Sequence, residues 1–332
     1  MSFSQEVKDE LSKQLSSARH CRLAELAAML SYSGQIGRTD SHNYLRFQTE
    51  SIAVARKYFT LIKKTFNINM DLSIRETSHA NGNHIYTIMI RDPESIRRIL
   101  QATKLTMRET EDRRSSKLME LGKPDPLVVQ NACCKRAFIR GAFLVSGSMS
   151  NPKKAYHLEI VVSDQGKAEQ LQEIMQAFLV DAKIVTRKKS FVVYIKEGSQ
   201  IVDLLNVMEA HVALMDLENV RILKEVRNQV NRQVNCEAAN IGKTVAASAK
   251  QIEDILYIRD TIGFGELAEG LEEIARLRIQ HPEASLKELG IMLTPSIGKS
   301  GVNHRLRKLS MIADHIREHK EEDSHDNKTN NN

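Results

Sequence analysis

No apolar run in the 332-residue chain approaches the roughly 18–20 residues that a membrane span needs. The first fourteen residues alternate charged and apolar side chains, which is not the pattern of a secretory signal. The cytoplasm is therefore the expected compartment. Cysteine occurs four times, as Cys21, Cys133, Cys134 and Cys236, and no pair has C-x-x-C spacing. A zinc ribbon and a disulfide framework are thus not expected. Cys21 and Cys134 read as small helix residues, and neither a metal nor a cofactor is expected. Acids are missing altogether between residues 294 and 313, where Lys299, Arg305, Arg307 and Lys308 all fall. The net charge of +6 and a pI of about 9.0 favour an anionic partner.

What is present is a repeat. Cys21-Arg22-Leu23-Ala24-Glu25-Leu26-Ala27-Ala28-Met29-Leu30-Ser31-Tyr32-Ser33-Gly34 is echoed 113 residues later by Cys134-Lys135-Arg136-Ala137-Phe138-Ile139-Arg140-Gly141-Ala142-Phe143-Leu144-Val145-Ser146-Gly147. Ala24 and Ala28, and likewise Ala137 and Gly141, stand four apart. Each copy therefore predicts a helix with a small-residue face that permits close approach of another helix.

The elements that follow each copy also repeat. In the first half a strand is predicted over 43–49 and a helix over 51–66, with Ile52, Ala55, Phe59, Ile62 and Phe66 on one face. Strands over 69–75 and 84–90 flank an Asn81-Gly82-Asn83 turn, and a closing helix starts at Pro93. In the second half the series is a strand over 156–162, a helix over 168–178, a hairpin of 183–187 with 191–195, and a helix over 199–210. Upstream, Phe3, Val7, Leu11 and Leu15 recur every four residues, as in an amphipathic helix. The repeat resembles the two central helices of LAGLIDADG homing endonucleases. That family carries an Asp or Glu metal ligand just before the motif's final glycine. Ser33 and Ser146 stand there instead, and a neutral hydroxyl is a poor Mg²⁺ ligand. The resemblance implies an endonuclease scaffold without its chemistry, and the protein is not expected to be an enzyme.

Composition shifts near residue 216. A helical stretch with a break near Gly242 is expected over 216–265, and Gly263 and Gly265 suggest a hinge. A helix over 267–280 ends at His281-Pro282. Ser285 and Glu288 form a capping-box pattern that opens a short helix to residue 293. After the turn 294–299, Ser300 is expected to cap a last helix reaching about residue 318. Val302, Leu306, Leu309, Ile312 and Ile316 make one apolar stripe along it. From Ser285 to Arg317 this is a helix-turn-helix pattern. Its second helix turns Ser300, Asn303, His304 and Arg307 away from the stripe. Arginine can be bidentate to guanine and asparagine to adenine, so these four are the candidate base readers. Lys299, Arg305 and Lys308 flank them as candidate phosphate contacts. Lys183, Arg187, Lys188 and Lys189 put four positive charges on one hairpin and are candidate auxiliary DNA contacts. The end of the chain, 320–332, is acidic and Asn-rich and reads as disordered.

Two other motifs fail on their context. Gly242-Lys243-Thr244 resembles the end of a phosphate loop but has Glu237 where its first glycine belongs. His315-Ile316-Arg317-Glu318-His319 matches a zinc pattern, but Ile316 belongs to the apolar stripe.

The degenerate LAGLIDADG halves, the stretch Arg227-Asn228-Gln229-Val230-Asn231-Arg232-Gln233-Val234-Asn235-Cys236-Glu237 and the segment Lys299-Ser300-Gly301-Val302-Asn303-His304-Arg305-Leu306-Arg307 occur in the order found in the WhiA family of bacterial transcription regulators, which the chain resembles over about residues 1–318. The fold class is then α+β: a two-lobed αββαββα domain followed by an all-α helix-turn-helix domain. The expected boundaries are 1–110 for the first lobe, 111–126 for a linker, 127–215 for the second lobe, 216–265 for a helical linker and 266–319 for the helix-turn-helix domain. The resemblance implies a nucleoid-associated binder of double-stranded DNA, acting in cell division, chromosome segregation and, in some bacteria, sporulation. A divergent metal-dependent endonuclease, with Glu159 and Asp164 as rescuing ligands, is one alternative. The other is an interaction scaffold, with the lobes docking a protein or a second copy.

Overall fold

The computed structural model describes residues 2–38, 43–76, 84–107, 118–268 and 270–329, the side chains of 320–329 excepted. Contacts divide the chain into two compact units, 1–225 and 226–332.

The first unit holds both repeats. Helix α1 (Phe3–Lys13) is capped by Ser2 and buries Val7 and Leu11. The first lobe runs α2 (Arg19–Ser33), β1 (Gly34–Arg38), β2 (Asn43–Thr49), α3 (Ile52–Phe66), β3 (Asp71–Glu76), β4 (His84–Ile90) and α4 (Pro93–Thr103). The second runs α5 (Ala132–Ser146), β6 (Gly147–Met149), β7 (Leu158–Val162), α6 (Gln165–Gln176), β8 (Lys183–Arg187), β9 (Ser190–Ile195) and α7 (Gly198–Met208). Each lobe is αββαββα. The sheets are antiparallel, with orders β3-β4-β2-β1-β5 and β6-β7-β9-β8. Strand β5 (Leu118–Glu120) pairs with β1, so part of the segment read as a polar linker completes the first sheet. The Asn81-Gly82-Asn83 turn and residues 111–117 of that linker lie outside the described residues.

Helices α2 and α5 pack side by side along their small-residue faces. Ala24, Ala28 and Ala137 are buried. A Cβ on Gly141 would stand 2.5 Å from the Glu25 carbonyl oxygen and 3.1 Å from the Ala28 Cβ. Gly141→Val should therefore force the helices apart and cost about 1–3 kcal/mol, read as a lower denaturation midpoint. Gly242 is the control, because nothing lies within 4 Å of a Cβ there. Gly242→Ala should stabilise by about 0.5–1 kcal/mol, the ordinary helix-interior difference.

Helix α3 turns a different face inward than its spacing suggested. Val54, Ala55, Tyr58, Leu61, Ile62 and Phe66 are buried, whereas Ile52 and Phe59 are exposed. Tyr58 stacks on Phe47 of β2, with ring centroids 4.1 Å apart, and this contact fixes the rotation of the helix.

Helix α8 (His211–Thr261) runs without interruption through Gly242, where a break was expected. One exposed glycine costs only about 1 kcal/mol, and no proline follows to stop the helix. It ends before Gly263, whose φ of 78° is left-handed. Its last turns build the second unit with α9 (Leu271–Gln280), α10 (Leu286–Met292) and α11 (Lys299–Thr329). Helix α9 begins at Leu271 rather than at residue 267, because Gly270 takes a left-handed conformation at its N-cap. Helix α11 passes residue 318 and stays helical to Thr329, through most of the tail read as disordered. After Gly301 the chain contains neither glycine nor proline, so no residue forbids the helix. The second core comprises Ile255, Ile258, Leu271, Ile274, Ala275, Leu289, Leu293, Val302, Leu306, Leu309 and Ala313. Among the described residues, no helix is long and apolar enough to cross a membrane.

Candidate nucleic-acid interface

The second unit places a short helix, a turn and a longer helix against the end of α8. Ser285 accepts from the Glu288 N–H at 3.3 Å, while the Glu288 carboxylate accepts from the Ser285 N–H at 2.7 Å. Hydrogen bonding to its carboxylate from the Ser285 backbone N–H first, and from the Ser285 side chain second, holds the Glu288 carboxyl below its ordinary range. The turn after α10 is pinned by the Ile297 N–H, which donates to the Gly290 carbonyl at 3.0 Å. A Cβ on Gly290 would stand 2.2 Å from the Ile297 carbonyl oxygen, so only glycine lets the turn close over α10. Sequence reasoning passed over Gly290; its place in the middle of a seven-residue helix was the available signal.

Helix α11 begins one residue before Ser300, and the Val302 N–H donates to the Gly298 carbonyl. Ser300 is therefore in the first turn and not the cap. Val302, Leu306, Leu309 and Ala313 are buried, with Ile312 and Ile316 partly so. The apolar stripe faces inward as its spacing requires. Lys299, Ser300, His304, Arg307 and Lys308 are exposed, and Asn303 is half-buried beside them. Arg305 departs from this set. Its Nη1 donates to the Gly270 carbonyl at 3.2 Å, so it also ties α11 to the start of α9. Arg317, at the end of the unit, bonds the buried Asp254 of α8 at 2.8 Å and lies over the Tyr257 ring. The buried Arg278 of α9 donates to Gln251 of α8 and to the Pro282 and Ala284 carbonyls. Both arginines anchor the unit to α8.

In the first unit, the positive hairpin is β8 and β9 with Lys188 and Lys189 at its turn. Lys183 pairs with Asp181 at 2.8 Å and Arg187 with Glu159 at 3.5 Å, so acids offset two of its four charges. Lys188 and Lys189 are exposed. Lys183 stands opposite Tyr194, and Tyr194 opposite Glu159, so one cross-strand row carries both signs of charge.

The catalytic metal that the LAGLIDADG resemblance of the repeat implies does not fit the residues at the ends of α2 and α5. Ser33 Oγ donates to the Gln48 carbonyl at 2.9 Å, and Ser146 Oγ to the Ala142 carbonyl at 3.1 Å. Both are neutral, and both spend their proton on backbone. Nearby acids are engaged elsewhere. Asp164 caps α6 through the Lys167 N–H at 2.9 Å, and Glu159 meets His157 Nε2 at 3.1 Å besides Arg187. Lys167, itself buried, donates from Nζ to the Ser31 carbonyl at 2.6 Å.

Three family models match the chain in succession: the WhiA N-terminal LAGLIDADG-like domain over 19–106, the WhiA LAGLIDADG-like domain over 135–227 and the WhiA C-terminal HTH domain over 230–313. The chain belongs to the WhiA family. A WhiA protein of Lachnoclostridium phytofermentans, named "Probable cell division protein WhiA", is 61% identical over 323 residues, which span 96% of this chain and 100% of the relative. One from Alkaliphilus oremlandii bearing the same name is 47% identical over 96% of this chain and 99% of its own length. The crystal structure of full-length WhiA from Thermatoga maritima aligns over 95% of this chain and 99% of its own, with a TM-score of 0.57 at 24% identity, and shares the fold.

Proposed function

We propose that this WhiA protein is a non-catalytic, sequence-specific binder of double-stranded DNA that regulates transcription, with α11 as its reading helix. The observation that carries this reading is the two-sidedness of α11: an apolar stripe buried against α8, α9 and α10, and an exposed face with three cations and no acid over residues 299–308. Arg307 and His304, with Ser300 and Asn303, are assigned to base edges. Lys299 and Lys308 are assigned to phosphates. Arg305 is assigned to holding α9 and α11 together.

The hydroxyls at Ser33 and Ser146 support a lobe pair that no longer cuts DNA. Lys188 and Lys189, with Lys183 and Arg187, are its candidate backbone contacts. The lobes also offer a surface for a second copy or a protein partner. The names of the relatives support cell division as the process served, and a DNA-bound regulator would sit in the nucleoid.

The test uses full-length protein, specific and random duplexes, and a salt series. Arg307→Ala should weaken specific binding by about 1–3 kcal/mol and leave random binding nearly unchanged. Lys308→Ala should weaken both alike and reduce the salt slope by about one counterion. Equal losses on both duplexes from Arg307→Ala would remove it from the base-reading role. Duplex cleavage in Mg²⁺ that is lost on Glu159→Gln or Asp164→Asn would overturn the non-catalytic reading.

A further inference from the structure

At the other end of the central helix pair, four side chains converge that the DNA-binding reading does not use. They are His20 and Cys21 in the first turn of α2 and Cys133 and Cys134 in the first turn of α5. One ligand atom from each lies within 4.8 Å of the other three. His20 Nδ1 is 3.2 Å from Cys134 Sγ, 3.4 Å from Cys21 Sγ and 4.0 Å from Cys133 Sγ. We propose that His20 Nδ1 and the three Sγ atoms form a tetrahedral zinc site that clamps the first turns of α2 and α5 together.

The donor set is one of the usual structural zinc sets, three cysteines and a histidine. The spacing fits as well. Zn–S bonds of about 2.3 Å and Zn–N bonds of about 2.0–2.1 Å make N···S edges of roughly 3.5 Å in a tetrahedron. The three N···S separations bracket that edge, so small side-chain adjustments suffice. All four cysteines of the chain are free thiols, so no disulfide competes for these ligands.

Burial and the neighbouring thiols raise the Cys21 and Cys134 pKa, so an ion that binds here must displace their protons. Cys21 and Cys134 are buried among Ala18, Ala24, Val128 and Ala137, whereas His20 and Cys133 are exposed. The exposed pair gives the ion a way in, and the buried pair excludes water from behind it. The ligands arrive as two adjacent pairs more than a hundred residues apart, so no spacing motif could reveal them.

The test is metal content and ligand-field spectroscopy on the full chain. Protein purified under reducing conditions without chelator should carry about one zinc per chain. Cobalt(II) added to the demetallated protein should give the thiolate charge-transfer and intense visible bands of a tetrahedral site. Because His20 and Cys133 are exposed, the double variant H20A/C133S should fold, and its bound zinc should fall at least tenfold. Cys236→Ser, on the exposed part of α8, should leave the zinc unchanged. Zinc-free wild-type protein that also gives no tetrahedral cobalt spectrum would overturn the proposal. So would a disulfide among Cys21, Cys133 and Cys134 in the protein as isolated. If the double variant does not fold, the wild-type cobalt spectrum decides the matter alone.

Discussion

Arg140→Met is expected to destabilise the first unit by about 3–5 kcal/mol, the usual cost of removing one partner from a buried ion pair. Arg140 stands on α5 and is 2% exposed. Its Nε meets Glu25 Oε1 of α2 at 3.3 Å, and its Nη1 meets Glu209 Oε2 at 2.8 Å. Nη1 also donates to Gln14 Oε1, and Nη2 to Ser16 Oγ, both at 3.2 Å. Lys57 of α3 reaches the same Glu25 oxygen at 3.0 Å and donates to the Gln14 carbonyl. Burial pushes the Lys57 ammonium below its ordinary range, while Glu25 beside it pulls the other way. One carboxylate thus holds two cations inside the protein, and the network ties α1, α2, α3, α5 and the end of α7 together. Without Arg140, the Glu25 charge stays buried with one cation. Glu25 Oε2 already has no hydrogen-bond partner among the described residues. Urea denaturation checks this. A loss below about 1 kcal/mol would mean that water or relaxation replaces the arginine. The combined variant E25L/K57M/R140M should lose less than Arg140→Met alone, because no charge is then left stranded.

Leu306→Ala should cost the second unit about 2–5 kcal/mol and abolish DNA binding with it. Leu306 is 1% exposed, in the middle of the stripe that α11 presses on its neighbours. Removing its side chain leaves a cavity in the one core that α9, α10 and α11 share with the end of α8. Hydrogen exchange reads the result by segment: amides of α9, α10 and α11 should lose protection, and those of α2 and α5 should keep theirs. Arg307→Ala, one residue away, should reduce binding with exchange unchanged. Normal DNA affinity in Leu306→Ala would show that the reading head lies elsewhere.

Much of this architecture is legible in the sequence, because periodicity and end signals report local structure. The small-residue spacing of the repeat placed α2 and α5 face to face, and Ser285 with Glu288 marked the start of α10. Val302, Leu306 and Leu309 set the inward face of α11. Where the reading fell short, tertiary contacts decided. Ile52 and Phe59 fit an apolar face by spacing, but stacking of Tyr58 on Phe47 rotates α3 away from it. Leu118–Glu120 is too short to read as a strand and becomes one only by pairing with β1. Gly242 looked like a break, yet one glycine costs less than ending a helix that long. The candidate base readers rested on one helix face, on which Ser300, His304 and Arg307 are exposed and Asn303 is half-buried. Spacing could not show that Arg305 also holds the Gly270 carbonyl, because that partner is 35 residues away. Periodicity assigns charges to water, so Glu25, Lys57, Arg140 and Lys167 gave no sign that they are buried.

The two halves of the repeat are alike in shape and unlike in charge. With the 113-residue offset, Glu25 corresponds to Phe138 and Arg140 to Ala27. The ion pair between the central helices therefore has no mirror image across their pseudo-symmetry. If like lobes paired with like, one interface would enclose two glutamates and the other two arginines, each keeping only the counter-charge of its own lobe, Lys57 or Glu209. Such pairings are penalised by the same desolvation that makes the native pair costly to break. The placement of one acid and one base therefore selects the pairing of unlike lobes over the pairing of like ones.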